Sequence, residues 1–352
     1  MLKRVPKPEA LRKQSSRKEM LNQVSIIIVT YKGDDVLAPC LESLAKACGT
    51  EPEIIVVDNS PDETTKALVE EYSNAVYVES PGNPGFAGGN NIGLQFCARK
   101  YVLLLNNDTI VRSGLSIKGL VEFLESHPEA GIAQGSIVLS KANGMAGGCG
   151  SFLTPFGFQY ARGFAVPLNT QGVNVPTRCF SVMGAFMMFA RELVSECGGF
   201  LFYDHFKSYY EESDFCHRAW LAGKEVWYVS TEPIEHLCGF TASKFNRAEI
   251  MRQYIRNSFF SLSVNLGALA RYLIVPAYSC VMIVHSLVHL VRGDLITCKA
   301  NLSVFREIHE LKKEIRNARV KINRARTDLW VLSKVLRLPP FSYVLRAVRK
   351  NA

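Results

Sequence analysis

The chain has 352 residues, 48% hydrophobic and 21% charged, which excludes a disordered polypeptide and allows one large domain with an appendage, or two domains. Its net charge of +9 is unevenly spread. Residues 1–20 hold seven Lys/Arg against two Glu, residues 299–352 hold fourteen against four Asp/Glu, and the stretch between is acidic overall. The ends are therefore the parts suited to an anionic surface, membrane or nucleic acid.

Residues 1–23 read as a basic flexible arm, with Pro6, Pro8 and many charges. The arm lacks the apolar stretch of a signal peptide. The pattern then changes. VSIIIVT (24–30) is a β-branched apolar run, as expected of a strand buried on both faces. Leu37, Leu41 and Leu44 follow at helical spacing. EIIVVDN (53–59) reads as a second strand, DETTKALVEEY (62–72) as a helix, and AVYVES (75–80) and YVLLLNND (101–108) as further strands. Strands alternating with helices indicate a parallel α/β sheet. Residues 130–180 are richer in Gly, Phe and Pro, and suit hairpins or an acceptor-binding insertion. SVMGAFMMFAR (181–191) reads as another buried strand, EESDFCHRAWLAG (211–223) as a helix closed by Gly223, and KEVWYVS (224–230) as a final strand. The ten cysteines form no CxxC pair, so they are expected to be reduced, mostly buried thiols of a cytosolic protein.

In open α/β sheets ligands bind beyond the carboxyl ends of the strands. Thr30 and Tyr31 follow the first strand, Asp58 and Asn59 the second, and Asn106, Asn107 and Asp108 the fourth. Tyr31 suits stacking on a base, and Asp58 suits accepting hydrogen bonds from a base or ribose. Asp58-Asn59-Ser60 equally fits a plain turn. The loop PGNPGFAGGNNIG (81–93) has glycines that let backbone approach a ligand. The first strand is followed by YKGDD, without the glycines of a dinucleotide turn, which argues against a nicotinamide or flavin enzyme. Asp108, directly after a buried strand, is placed to hold a hard divalent cation bridging a diphosphate. His236 gains interest if it faces Asp108. The crowding of Glu211, Glu212 and Asp214 within four positions fits either a charged helix start or a site needing negative charge.

Taken in order, VSIIIVTY, IIVVDNS, NPGFAGGNN, LLLNND, GAFMMFAR and YYEESDFCHRAWLAGKEVWYV resemble the family 2 glycosyltransferases of GT-A fold, in particular the bacterial rhamnosyltransferase-like branch. The resemblance covers about residues 24–240. It implies a catalytic domain over 24–240 built on a Rossmann-like mixed α/β sheet, and a metal-dependent inverting transfer of a sugar, rhamnose favoured, from a nucleotide-diphosphate donor to a saccharide or lipid-linked acceptor. It also implies roles residue by residue. Thr30, Tyr31, Asp58 and Asn59 would meet the nucleoside. Gly85, Asn90 and Asn91 would flank the sugar nucleotide, beside Asn106 and Asn107. Asp108 and His236 would ligate Mg²⁺ or Mn²⁺, and Glu212 would be the catalytic base, with Glu211 or Asp214 sharing the task. Two positions depart from the family pattern: Asn106 replaces the first DxD-like acid, and Glu212 replaces the usual Asp.

Residues 241–352 read as a basic helical region. YLIVPAYSCVMIVHSLVHLV (272–291) has twenty residues without Asp, Glu, Lys or Arg, enough to span, enter or lie on a bilayer. Residues 304–338 read as one long basic amphipathic helix suited to anionic lipid. The expected location is a peripheral place on the inner face of the cytoplasmic membrane. Two rivals remain: a basic nucleic-acid-binding protein, disfavoured because no aromatic-plus-basic motif or zinc spacing is present, and an inactive sugar-binding module on the same fold, which Asn106 would allow.

Overall fold

The computed structural model describes residues 19–140, 144–237 and 246–340. The basic arm and Cys238 thus lie wholly or almost wholly outside the described residues. Along the first part of the chain, β1 (Val24–Thr30), α1 (Asp34–Cys48), β2 (Glu53–Asp58), α2 (Glu63–Glu70), β3 (Ala75–Glu79), α3 (Gly85–Leu94) and β4 (Tyr101–Leu105) alternate. Their strands pair in parallel, in the order β4-β1-β2-β3. Ile27, Ile55 and Val57 bury on one face of this sheet, and Ile26, Ile28, Ile54 and Val56 on the other. Burial on both faces is why these strands read as unbroken apolar runs.

The chain continues through β5 (Thr109–Ile110), α4 (Leu115–Ser126), β6 (Ala130–Gln134), β7 (Ile137–Leu139) and a hairpin of β8 (Ser151–Leu153) with β9 (Gln159–Ala161). Next come β10 (Thr177–Arg178), β11 (Phe186–Ala190), α5 (Leu193–Glu196), α6 (Glu211–Ala222), β12 (Glu225–Tyr228) and β13 (Ile234–His236). The main sheet has eight strands in the order β10-β12-β6-β11-β4-β1-β2-β3, and β11 runs antiparallel between β4 and β6. The fold is a mixed α/β sheet flanked by helices. A second sheet, β5-β13-β7, sits beyond the end of β4.

Three sequence expectations need correction. Strand β6, in AGIAQ, lies within the main sheet although its Gly and Ala give little strand signal. KEVWYVS is not the last strand, because β13 comes after it and carries His236. The basic stretch from 304 is not one helix. After α7 (Arg247–Asn265) and α8 (Ala268–Val291), the chain forms α9 (Leu295–Glu310), α10 (Lys312–Lys321) and α11 (Asp328–Val335). The break after α10 has a physical reason. Arg319 donates to the carbonyls of Ser263, Val264 and Leu266, Arg324 donates to that of Asn265, and Thr327 caps α11 by accepting from the Trp330 amide. These two arginines cap the end of α7 and do not form a free cationic face.

The segment around residue 240 lies outside the described residues. Helix α7, beyond that segment, shares a core with the sheet: its Ile255, Phe259 and Phe260 cluster with Leu104, Met187 and Phe189 of the strands.

Candidate active site

The parallel register sets Thr30 opposite Asp58, so β1 and β2 end at one edge of the sheet. The Asn107 amide donates to the Thr30 hydroxyl at 3.0 Å, which ties the end of β4 to the same edge. Pairing of β5 with β13 then sets His236 opposite Thr109, and the Leu237 amide donates to the Asp108 carbonyl. The consequence is a side-chain contact between residues 128 positions apart: His236 Nε2 lies 3.0 Å from Asp108 Oδ1. Asn106 Nδ2 lies 3.3 Å from the same His236 nitrogen. Both Asp108 and His236 are buried. Among the described residues, no group of three or more His, Cys, Asp and Glu side chains gathers to hold a metal ion.

Glu211 and Glu212 open helix α6. The loop before it is strained: Lys207, Tyr209 and Tyr210 all have left-handed φ, of 57°, 70° and 76°. Such backbone persists in bulky residues only when the surroundings enforce it. Here a fully buried amide does so. Asn257 of α7 donates to the carbonyls of Phe206, Ser208 and Tyr209 at 3.0, 3.1 and 2.7 Å. Arg256 donates to the His205 carbonyl. From the other side, the Ala87 amide donates to the Lys207 carbonyl. Gly85 is required at this contact, since its φ is +79° and a Cβ would lie 2.5 Å from the Lys207 oxygen.

The loop delivers Glu212 to the sheet edge. Glu212 is partly exposed, and an added Cβ at Gly184 would lie 3.9 Å from its own Cβ. The next residue, Ala185, accepts the Asn106 amide proton at 3.2 Å. Glu212 therefore borders the backbone that holds the Asn106–Asp108 turn. Burial raises the Glu212 carboxyl to about 7. Glu211 is buried, its Oε2 has no hydrogen-bond partner, and burial together with the neighbouring Glu212 pushes it well above the ordinary range. At neutral pH Glu212 is poised between its two forms.

Other expected site residues point inward. Asp214 is not available as a base. Its Oδ2 accepts from Arg218 Nε at 2.8 Å, its Oδ1 accepts from Asn265 at 2.7 Å, and it is fully buried. Arg218 also donates to the carbonyls of Cys197, Phe200 and Leu201, so this pair organises the loop before α6. Asn91 is equally committed, donating to the Phe202 carbonyl and Asp204 and accepting from the Phe202 amide. Asn90 is buried and donates to the Phe86 carbonyl. Asn59 donates to the Gly85 carbonyl. Asp58 has no solvent-exposed surface, and its oxygens accept from Ser60 and from the Tyr77 hydroxyl. Tyr31 remains partly exposed beside Lys32. Sequence reasoning missed Asn257 and the Asp214–Arg218 pair. Only the last left a signal, in its i,i+4 spacing.

Residues 25–196 match the family described as Glycosyl transferase family 2. The likeness to that family lies in this segment, just under half of the chain. A relative from Haloferax volcanii, the low-salt glycan biosynthesis hexosyltransferase Agl10, is 26% identical over 204 residues, which is 57% of this chain and 62% of that one. The poly(ribitol-phosphate) β-N-acetylglucosaminyltransferase TarS of Staphylococcus aureus is 27% identical over 131 residues, 35% of this chain and 21% of TarS. The matches thus span less than two thirds of either relative. Among solved structures, S. aureus TarS 1–349 in complex with UDP-GlcNAc superposes with a TM-score of 0.53 at 17% identity, covering 85% of this chain and 88% of that one. At that identity the likeness shows the shared fold.

Proposed function

We propose that the protein transfers a hexosyl group from a nucleotide-diphosphate sugar to a saccharide or lipid-linked glycan acceptor, inverting the anomeric carbon, with Glu212 as the general base. The observation that carries this reading is the convergence of Glu212 and the Asp108–His236 pair on one backbone junction, through Gly184, Ala185 and Asn106.

The acceptor hydroxyl oxygen forms the new bond to the anomeric carbon as the bond to the diphosphate breaks and its electron pair leaves with the nucleotide. The hydroxyl proton passes to the Glu212 carboxylate. A base with a pKa near the working pH combines an ionised fraction with useful basicity, and a carboxyl raised to about 7 meets that condition. Asp108 and His236, an oxygen and a nitrogen donor 3.0 Å apart at the sheet edge, would hold Mg²⁺ or Mn²⁺. Two protein ligands also match a cation that takes its other ligands from substrate phosphates and water. Such an ion would supply charge neutralisation for the departing diphosphate. Tyr31 and Thr30 line the edge where the nucleoside would lie.

Rhamnose, the sugar that the resemblance implies, is one arm of the test. UDP-, dTDP- and GDP-linked sugars are added with and without Mn²⁺, and the melting temperature is followed, since a ligand of the native state raises it. One nucleotide class is expected to give a metal-dependent rise that Asp108→Ala removes. No rise with any donor, or an equal rise in chelator, would overturn the assignment of the donor site. Binding without any turnover would favour the inactive module.

A further inference from the structure

Helix α8 is the most apolar helix among the described residues, and its two sides are treated differently. Ile274, Tyr278, Met282 and Ser286, four residues apart, are buried. The Tyr278 ring packs between Phe158, at 4.6 Å, and Phe259 of α7, at 4.9 Å, and its hydroxyl bonds to Ser258. Near the other end His285 meets Asn301 of α9. The opposite side is covered by nothing among the described residues. Leu273 is 65% exposed, Val284 59%, Leu287 51% and Val291 87%, and after the turn Ile296 of α9 continues the stripe at 68%. Val284, Leu287, Val288, Val291 and Arg292 form a shallow apolar groove at its end. Exposed apolar faces of this extent mark interaction sites.

We propose that this face docks on an anionic lipid bilayer, with α8 lying in the plane of the interface and not crossing the membrane. Crossing would surround α8 with lipid, whereas its Ile274–Ser286 stripe is fixed to α7, α9 and the turn of the β8–β9 hairpin. The occupant is chosen by charge. Residues 268–291 contain Arg271 and no Asp or Glu, and Arg292 and Lys299 follow at the far end with Asp294, whose carboxylate faces His289, between them. An apolar stripe edged with cations suits acyl chains beneath negative headgroups. A second copy of this chain would bring the same positive edge against itself. The proposal holds whether or not Glu212 is the base. If it is, the helix is linked to the chemistry through the hairpin packed on its buried side, where Gln159 accepts from Ser213, next to Glu212.

The test is co-flotation of the full chain with phosphatidylcholine vesicles, with and without phosphatidylglycerol. Binding is expected only with the anionic lipid, weakening as salt rises. The doubly substituted Leu287→Glu, Val291→Glu chain, both sites being exposed, is expected to keep its melting temperature and lose about tenfold or more in partitioning. Equal flotation of both chains would overturn the face. A wild-type dimer in solution that ignores vesicles would assign the face to a second copy and overturn the proposal. Bound protein that resists alkaline carbonate would overturn the in-plane arrangement.

Discussion

Replacing Glu212 with Gln is expected to stabilise the protein at pH 8 while stopping transfer. The carboxyl is raised from 4.5 to about 7 by burial, so in the folded state it holds its proton more tightly than in the unfolded chain. A group raised in this way contributes stability that is fully present below pH 4.5 and is lost as pH rises through about 7. Raising the carboxyl from 4.5 to about 7 corresponds to at most roughly 3 kcal/mol. Gln resembles the protonated acid and does not titrate. The variant should therefore match wild type near pH 4.5 and exceed it by up to about 3 kcal/mol at pH 8. Urea unfolding at the two pH values, with wild type and variant side by side, reads the difference directly. Glu211→Gln should show the same sign, since burial raises Glu211 as well, yet should leave turnover largely intact, because Glu211 is not the base. Equal stability of Glu212→Gln and wild type at pH 8, or a loss, would refute the reasoning that this carboxyl is held against its preference for water.

The neighbouring carboxylate should respond in the opposite way. Asp214→Ala leaves Arg218 buried without its counterion and is expected to cost about 3–5 kcal/mol at pH 7, measured by the same unfolding curves; a neutral outcome would contradict its assignment as a structural partner. Asn257→Leu removes the donor that serves three carbonyls of the strained loop. An NH₂ group forms two strong bonds at a time, so a loss of about 3 kcal/mol is expected, with turnover falling more than donor affinity. Asn257→Leu with wild-type turnover would show that the latch does not position Glu212.

The sequence made the alternating first half legible because β1, β2 and β4 are buried on both faces and so appear as apolar runs. Helix α6 was legible because Gly223, with φ of +95°, closes it. Strands β5 and β13, of two and three residues, exist only through their pairing with each other and with β7, and no local pattern marks them. That pairing is what brings His236 to Asp108, so the contact was an expectation from resemblance and became geometry only in three dimensions. The three carboxylates of YYEESDFCHRAW could not be told apart by composition. Asp214 was readable as a partner of Arg218 from its spacing, but Glu211 and Glu212 separate only by burial. Asn257 lies 45 positions after Glu212, and nothing in its surroundings marks it as the support of the loop.

The most direct measurement of the central claim compares sugar transfer by wild type and Glu212→Gln at saturating donor, with donor affinity measured alongside. The expected result is release of nucleoside diphosphate by wild type, near-complete loss of release in the variant, and donor affinity unchanged. Comparable turnover in the two proteins would contradict the assignment of Glu212 as the base.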